Sequence, residues 1–184
     1  MQIFSSPNQY GAVAKVLHWS TVLFVVLAWS SGELHDEFPR GEPRAMALFA
    51  HASLGLLIVG TLVLRLMWRT VDRPPTHLST PLGGWADRAG YCMHGVLLIL
   101  LAAIPISGII LQFSRGAALP LFGVYEMASP WAADRSFARS VKSVHELLAN
   151  AILILAGLHA FAALTHSWIF QDRTLARMLP GRTQ

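Results

Sequence analysis

The chain has 184 residues, 54% of them hydrophobic and only 13% charged, with a mean hydropathy of +0.49. Soluble domains average about 45–50% apolar and about 25% charged residues, so an ordinary soluble domain is excluded and a bilayer is the natural solvent for the long apolar runs. The net charge of +4 comes without the aromatic-basic patterning that would suit nucleic acid; the basic residues flank apolar runs, as charge at membrane boundaries does.

The segment up to Gly11 is polar and has no basic stretch leading into a short apolar run, so no removable signal peptide is expected. Four apolar runs follow, at about 13–31, 45–68, 91–113 and 143–170. Each is near the ~20 residues that cross a ~30 Å hydrocarbon core. The expectation is an all-α membrane protein, a four-transmembrane-helix bundle making one domain over residues 1–184. Pro39, Gly41 and Pro43 mark the first loop, Pro74, Pro75, Pro81 and Gly83 the second, and Pro120, Gly123 and Pro130 the third. Pro105 and Gly108 predict a kink inside the third helix, which membrane helices tolerate. Cys92 is the lone cysteine, so no internal disulfide forms, and Cys92-Met93-His94 lacks the second cysteine of a covalent haem attachment motif.

Basic residues near helix ends set orientation. Lys15, Arg65, Arg69, Arg73, Arg88, Arg173, Arg177 and Arg182 outweigh Asp72, Asp87 and Asp172 on the side shared by the termini and the second loop. On the opposite side Arg40, Arg44, Arg115, Arg135, Arg139 and Lys142 are balanced by Glu33, Asp36, Glu37, Glu42, Glu126 and Asp134. Both termini are therefore expected to be cytoplasmic.

Of the eight histidines, His18, His51, His94, His145 and His159 fall within apolar runs, where an ionisable group is costly and usually functional. His145 and His159 are 14 residues apart on one helix, which returns them to within about 40° of the same face and separates them by about 21 Å. One helix thus serves two sites stacked across the membrane. Helix direction then pairs His18 with His159 near the inner side and His51 with His145 near the outer side. Two facing imidazole pairs suit six-coordinate haem iron held between helices of a bundle. Zinc fits less well, because the ligands split between two depths and no carboxylate or cysteine completes either pair. Interhelical hydrogen bonding between core histidines is the plain alternative. Gly55, one turn after His51, and Gly157, beside His159, would let a flat macrocycle approach the backbone. His94 is expected near the inner end with no partner at its depth, as a structural or propionate-binding group or part of a quinone or proton path. His166, seven residues beyond His159, could reach a haem propionate or a quinone head group, or simply sit at the interface. His35 and His77 carry no strong reading. Trp19, Trp68, Trp131 and Trp168 suit an interfacial belt.

These residues resemble the bacterial cytochrome b561 family of four-helix membrane cytochromes over nearly the whole chain. The resemblance is carried by Lys15-Val16-Leu17-His18-Trp19, by His51 with Gly55 and Arg65, by Ala103-Ile104-Pro105-Ile106-Ser107-Gly108, by Lys142-Ser143-Val144-His145-Glu146-Leu147-Leu148-Ala149-Asn150, by Gly157-Leu158-His159-Ala160, and by the tail from Asp172 to Pro180. It implies two haem b groups on His18, His51, His145 and His159 in a bacterial inner membrane, with ubiquinone as electron acceptor. The branch it is most similar to includes superoxide oxidase, which oxidises superoxide and reduces ubiquinone.

The loop leading into the fourth helix is richer in basic than acidic residues, so Lys142, Arg139, Arg135 and Arg115 could draw superoxide toward the outer site, or bind propionates and lipid head groups. Membrane-anchor cytochromes of hydrogenases and formate dehydrogenases share the ligand plan; the absence of a fifth apolar run and of a partner-binding extension favours a stand-alone oxidoreductase. A non-haem transporter or structural protein is the remaining alternative. The sequence leaves monomer and homodimer both open.

Overall fold

The computed structural model describes residues 2–76 and 82–179; His77, Pro81, Pro180 and Arg182 lie outside them. Four long helices account for most of the chain: α1 (Ala12–Leu34), α2 (Glu42–Val71), α3 (Gly84–Ser114) and α4 (Arg135–Trp168). All four are long and apolar enough to cross a membrane. In hydrocarbon every backbone N–H and C=O must find a partner within the protein, which the helix provides. Large side chains such as Leu23, Leu64, Ile99, Ile106, Ile154 and Phe161 remain exposed on the helix surfaces, as lipid-facing positions should.

The helix ends differ from hydropathy alone. α3 begins at Gly84 rather than about 91, and α4 at Arg135 rather than about 143. At 34 residues and 1.5 Å per residue α4 is about 51 Å long, well beyond a ~30 Å hydrocarbon core; in its first two turns Arg135, Ser136, Arg139 and Ser140 break up the apolar pattern. The Asp134 carboxylate caps α4 by accepting from Ser136 N–H (2.9 Å) and Phe137 N–H (3.0 Å). The third connection is also not a plain loop. It holds an antiparallel hairpin, β1 (Leu119–Leu121) and β2 (Tyr125–Met127). Val124 N–H closes the turn on Leu121 O at 3.1 Å, with Phe122 and Gly123 both at positive φ, the backbone that matches hairpin twist.

α1 packs along α2 and α3 along α4, and α2 against α3 joins the two pairs. α3 runs unbroken through Pro105. Ala28, Ile58, Leu62, Leu100, Leu101 and Ile152 form one buried cluster drawn from all four helices. By position along the helices it lies between the outer and inner histidines. Among lipid-soluble helices such packing is held by close contact rather than by expulsion of water.

At the end of the bundle that carries the termini, three segments are laced together. Asp72 accepts from Ser5 N–H (2.8 Å), Ser5 Oγ–H (2.7 Å) and Trp68 Nε1–H (3.0 Å), while Phe4 stacks on Trp68 with ring centres 5.2 Å apart. Lys15, only 4% exposed, donates from Nζ to Leu179 O at 2.9 Å, and Trp19 Nε1–H to Met178 O at 2.9 Å. Arg177 donates to Thr76 O at 2.7 Å. The N-terminal segment, second loop and tail thus share one end, as the charge reading groups them. Trp19 and Trp68 pin this end of the bundle.

Candidate functional site

His51 stands on α2 and His145 on α4, and the structure brings their rings to 5.9 Å between centres at an interplanar angle of 79°. Each ring is fixed by its Nδ1. His51 Nδ1–H donates to Ala28 O of α1 at 2.8 Å. His145 Nδ1 meets Ile104 O of α3 at 3.1 Å and Ser107 Oγ at 2.9 Å. A carbonyl only accepts, so Nδ1 carries the proton in both rings; Ser107 Oγ–H is itself spent on Ile104 O at 2.7 Å, which leaves its oxygen to accept. In the neutral ring each Nε2 then keeps its lone pair for a metal.

Two glycines seat these rings. A Cβ on Gly32 of α1 would stand 2.8 Å from the His51 ring, and one on Gly108 of α3 would stand 3.2 Å from His145 Cε1. By contrast Gly55 and Gly157 have no atom within 4 Å of where a Cβ would lie, so both open onto free space. The two imidazoles line a partly open pocket together with Trp29, Ile58, Pro105 and Ile152. Trp29 Nε1–H spans from α1 to Asn150 Oδ1 on α4 at 3.0 Å.

The second level holds three imidazoles. His159 on α4 lies 5.1 Å from His94 on α3 between ring centres. His18 on α1 is in edge contact with Trp19 at 5.4 Å and within electrostatic reach of His159, His94 and Arg65. His94 therefore does have partners at its depth, contrary to the sequence expectation. That expectation started α3 at about 91; the true start at Gly84 adds nearly two turns and lifts His94 to the level of His159. None of the three inner rings has a hydrogen-bond partner among the described residues, so the protein orients the outer pair more firmly than the inner group.

His166 bonds through Nδ1 to Asp172 Oδ2 at 2.5 Å and touches Phe170 at 5.3 Å; the sequence reading gave His166 no such carboxylate. Burial works against the Asp172 carboxylate, but hydrogen bonds from His166 and Thr174 outweigh it and hold the group below the usual carboxylate range. At the opposite end Arg135, Arg139, Lys142 and Arg115 are all exposed. Arg135 and Arg139 lie on α4 itself rather than in a loop. Lys142 is paired with Glu146 at 3.2 Å, and Arg115 is within electrostatic reach of His145.

The arrangement fits a metal held between paired imidazoles. With a metal–imidazole bond of about 2 Å, the centres of two axial rings stand roughly 6 Å apart, close to the outer pair. Among the described residues no group of three or more His, Cys, Asp or Glu side chains is placed to hold a bare metal ion. These features define an integral membrane protein with imidazoles gathered at two levels of its helix bundle. The chain belongs to the prokaryotic cytochrome b561 family, whose profile matches residues 9–181. It is 30% identical to cytochrome b561 homolog 2 of Escherichia coli, covering 97% of this chain and 95% of the relative. It is 33% identical to a probable superoxide oxidase of Yersinia pestis, covering 95% and 98%. Cytochrome b561 homolog 1 of Escherichia coli is 31% identical, covering 95% and 99%. The family implies b-type haem, electron transfer and a multi-pass position in the prokaryotic inner membrane.

Proposed function

We propose that the chain holds two haem b groups, one between His51 and His145 and one between His18 and His159, and passes electrons from superoxide to ubiquinone. The observation that carries the reading is the outer pair, whose Nδ1 atoms are fixed on Ala28 O, Ile104 O and Ser107 Oγ so that both Nε2 atoms are free. α4 packs along α3 rather than along α1 or α2, so each proposed pair joins helices that are not side-by-side neighbours. His94 and His159 come from helices packed side by side, with rings at 5.1 Å, closer than axial partners stand; His94 is therefore a neighbour of the inner haem and not its ligand.

Bound haem iron supplies reversible one-electron exchange. The rest falls to side chains. Both termini face the cytoplasm, and the basic residues Arg115, Arg135, Arg139 and Lys142 draw the superoxide anion to the outer face. Two superoxide anions lose one electron each and leave as dioxygen; ubiquinone takes both electrons and two protons to become the quinol. His166, with Asp172 as its carboxylate partner, and His94 stand at the inner end to bind the quinone and hand over protons. Stopped-flow haem reduction by a superoxide source, with ubiquinone present, tests this. Fast reduction followed by quinone-dependent reoxidation supports it. Slow reaction with superoxide, with fast reduction by quinol, would transfer the role to a protein electron partner.

A further inference from the structure

Two helices carry the same spacing with different residues. On α4 His159 follows His145 by 14 residues, and on α2 the residue 14 after His51 is Arg65. The same helical arithmetic puts Arg65 about 21 Å from His51 on nearly the same face, level with His159. Arg65 is half-buried and within electrostatic reach of His18 and His94. Among the described residues it has neither a carboxylate nor a hydrogen-bond partner. Asp72 is engaged with Ser5 and Trp68, and Asp172 with His166. A guanidinium stays charged at any ordinary pH, and a lone charge inside a membrane span is costly unless it serves the site.

The outer level is built differently. There Glu146 and Arg115 both act on His145, so the signs offset each other. At the inner level the cations Arg65 and Arg69 both act on His94. An added electron is an added negative charge, and an uncompensated cation nearby favours the reduced state.

We propose that Arg65 is a fixed positive charge that raises the reduction potential of the inner haem above that of the outer one, so that an electron delivered at the outer level settles at the inner level. The proposal rests on the two-haem reading above and makes Arg65 a positioning residue acting on the cofactor through its field.

Redox potentiometry of purified, haem-loaded Arg65→Gln and Arg65→Lys protein, followed in the visible spectrum, tests it without superoxide or quinone. In Arg65→Gln the higher of two midpoints falls by at least tenfold in the electron equilibrium constant, about 59 mV for one electron, and the lower midpoint moves by less than a third of that. Arg65→Lys restores most of the difference. A higher midpoint that stays put in Arg65→Gln, or that falls equally in both variants, overturns the proposal. Should Arg65→Gln fail to assemble, Arg65→Lys is read alone: a higher midpoint within threefold of wild type supports the proposal, and a tenfold fall overturns it. A wild-type protein with fewer than two midpoints would instead sink the two-haem reading, and this one with it.

Discussion

Replacing Gly32 with alanine puts a methyl group 2.8 Å from the His51 ring, where ordinary contact begins at 3.4 Å. The ring must retreat by about 0.6 Å or α1 must move away. A retreat of that size stretches the His51 Nδ1 to Ala28 O bond from 2.8 Å to about 3.4 Å, past the usual limit of about 3.2 Å. It also displaces Nε2 by several times the roughly 0.2 Å tolerance of a metal–ligand bond. Loss of an orienting contact of this kind costs about 10–100-fold in affinity for the bound group. Haem content per chain, measured by pyridine haemochrome on purified protein during stepwise dilution, should show one haem leaving Gly32→Ala more readily while the other stays. Gly60→Ala, which has nothing within 4 Å of its Cβ, serves as control. Equal retention of both haems in Gly32→Ala and Gly60→Ala would refute the seat assigned to Gly32.

Three further outcomes follow. Burial disfavours the Asp72 carboxylate, yet hydrogen bonds from Ser5 and Trp68 hold it below the ordinary carboxylate range; a depressed folded value adds stability that is complete above the unfolded pKa and is lost as pH falls through the folded one. Asp72→Asn should therefore lower the midpoint of detergent-monitored thermal unfolding at neutral pH, with the gap to wild type narrowing in acid, and a gap that is constant down to acid pH would contradict the assignment. Because Lys142 is tied to Glu146 at 3.2 Å, Glu146→Gln should speed superoxide-driven haem reduction severalfold at low salt, whereas Lys142→Glu should slow it and weaken its salt dependence; unchanged rates in both would place the anion's entrance elsewhere. Asp172→Asn removes the carboxylate from His166, so quinone-dependent reoxidation should slow at least tenfold while reduction by superoxide keeps its rate; a slowing of both steps alike would count against an inner-side proton role.

The histidine spacing could be read from the sequence because it depends only on helical geometry. The 14-residue interval on α4 and the alternating helix directions place His51 beside His145, and the structure sets those rings 5.9 Å apart. His94 was misplaced because an apolar run records where a helix meets lipid, while α3 continues for seven residues of polar end toward Gly84. The same blindness hid the first turns of α4 and the β1–β2 hairpin, whose turn depends on positive φ at Phe122 and Gly123. Gly55 and Gly157 were legible as flat helix surface, but Gly32 and Gly108 matter through rings on other helices, a contact that no local pattern announces. The acceptors that fix the tautomers of His51 and His145 are mostly backbone carbonyls, Ala28 O and Ile104 O, and any residue type supplies one. The Asp172 partner of His166 stands six residues away around a helix end, a proximity set by the turn after Trp168 rather than by helical periodicity.

The most direct test of the account is the ratio of haem b to polypeptide in the wild-type protein and in single alanine replacements of His18, His51, His94, His145 and His159. Two haems per chain are expected in the wild type and in His94→Ala, with loss from each of the other four. One haem per chain in the wild type, or haem loss in His94→Ala with retention in His18→Ala, would contradict the assignment of the two sites.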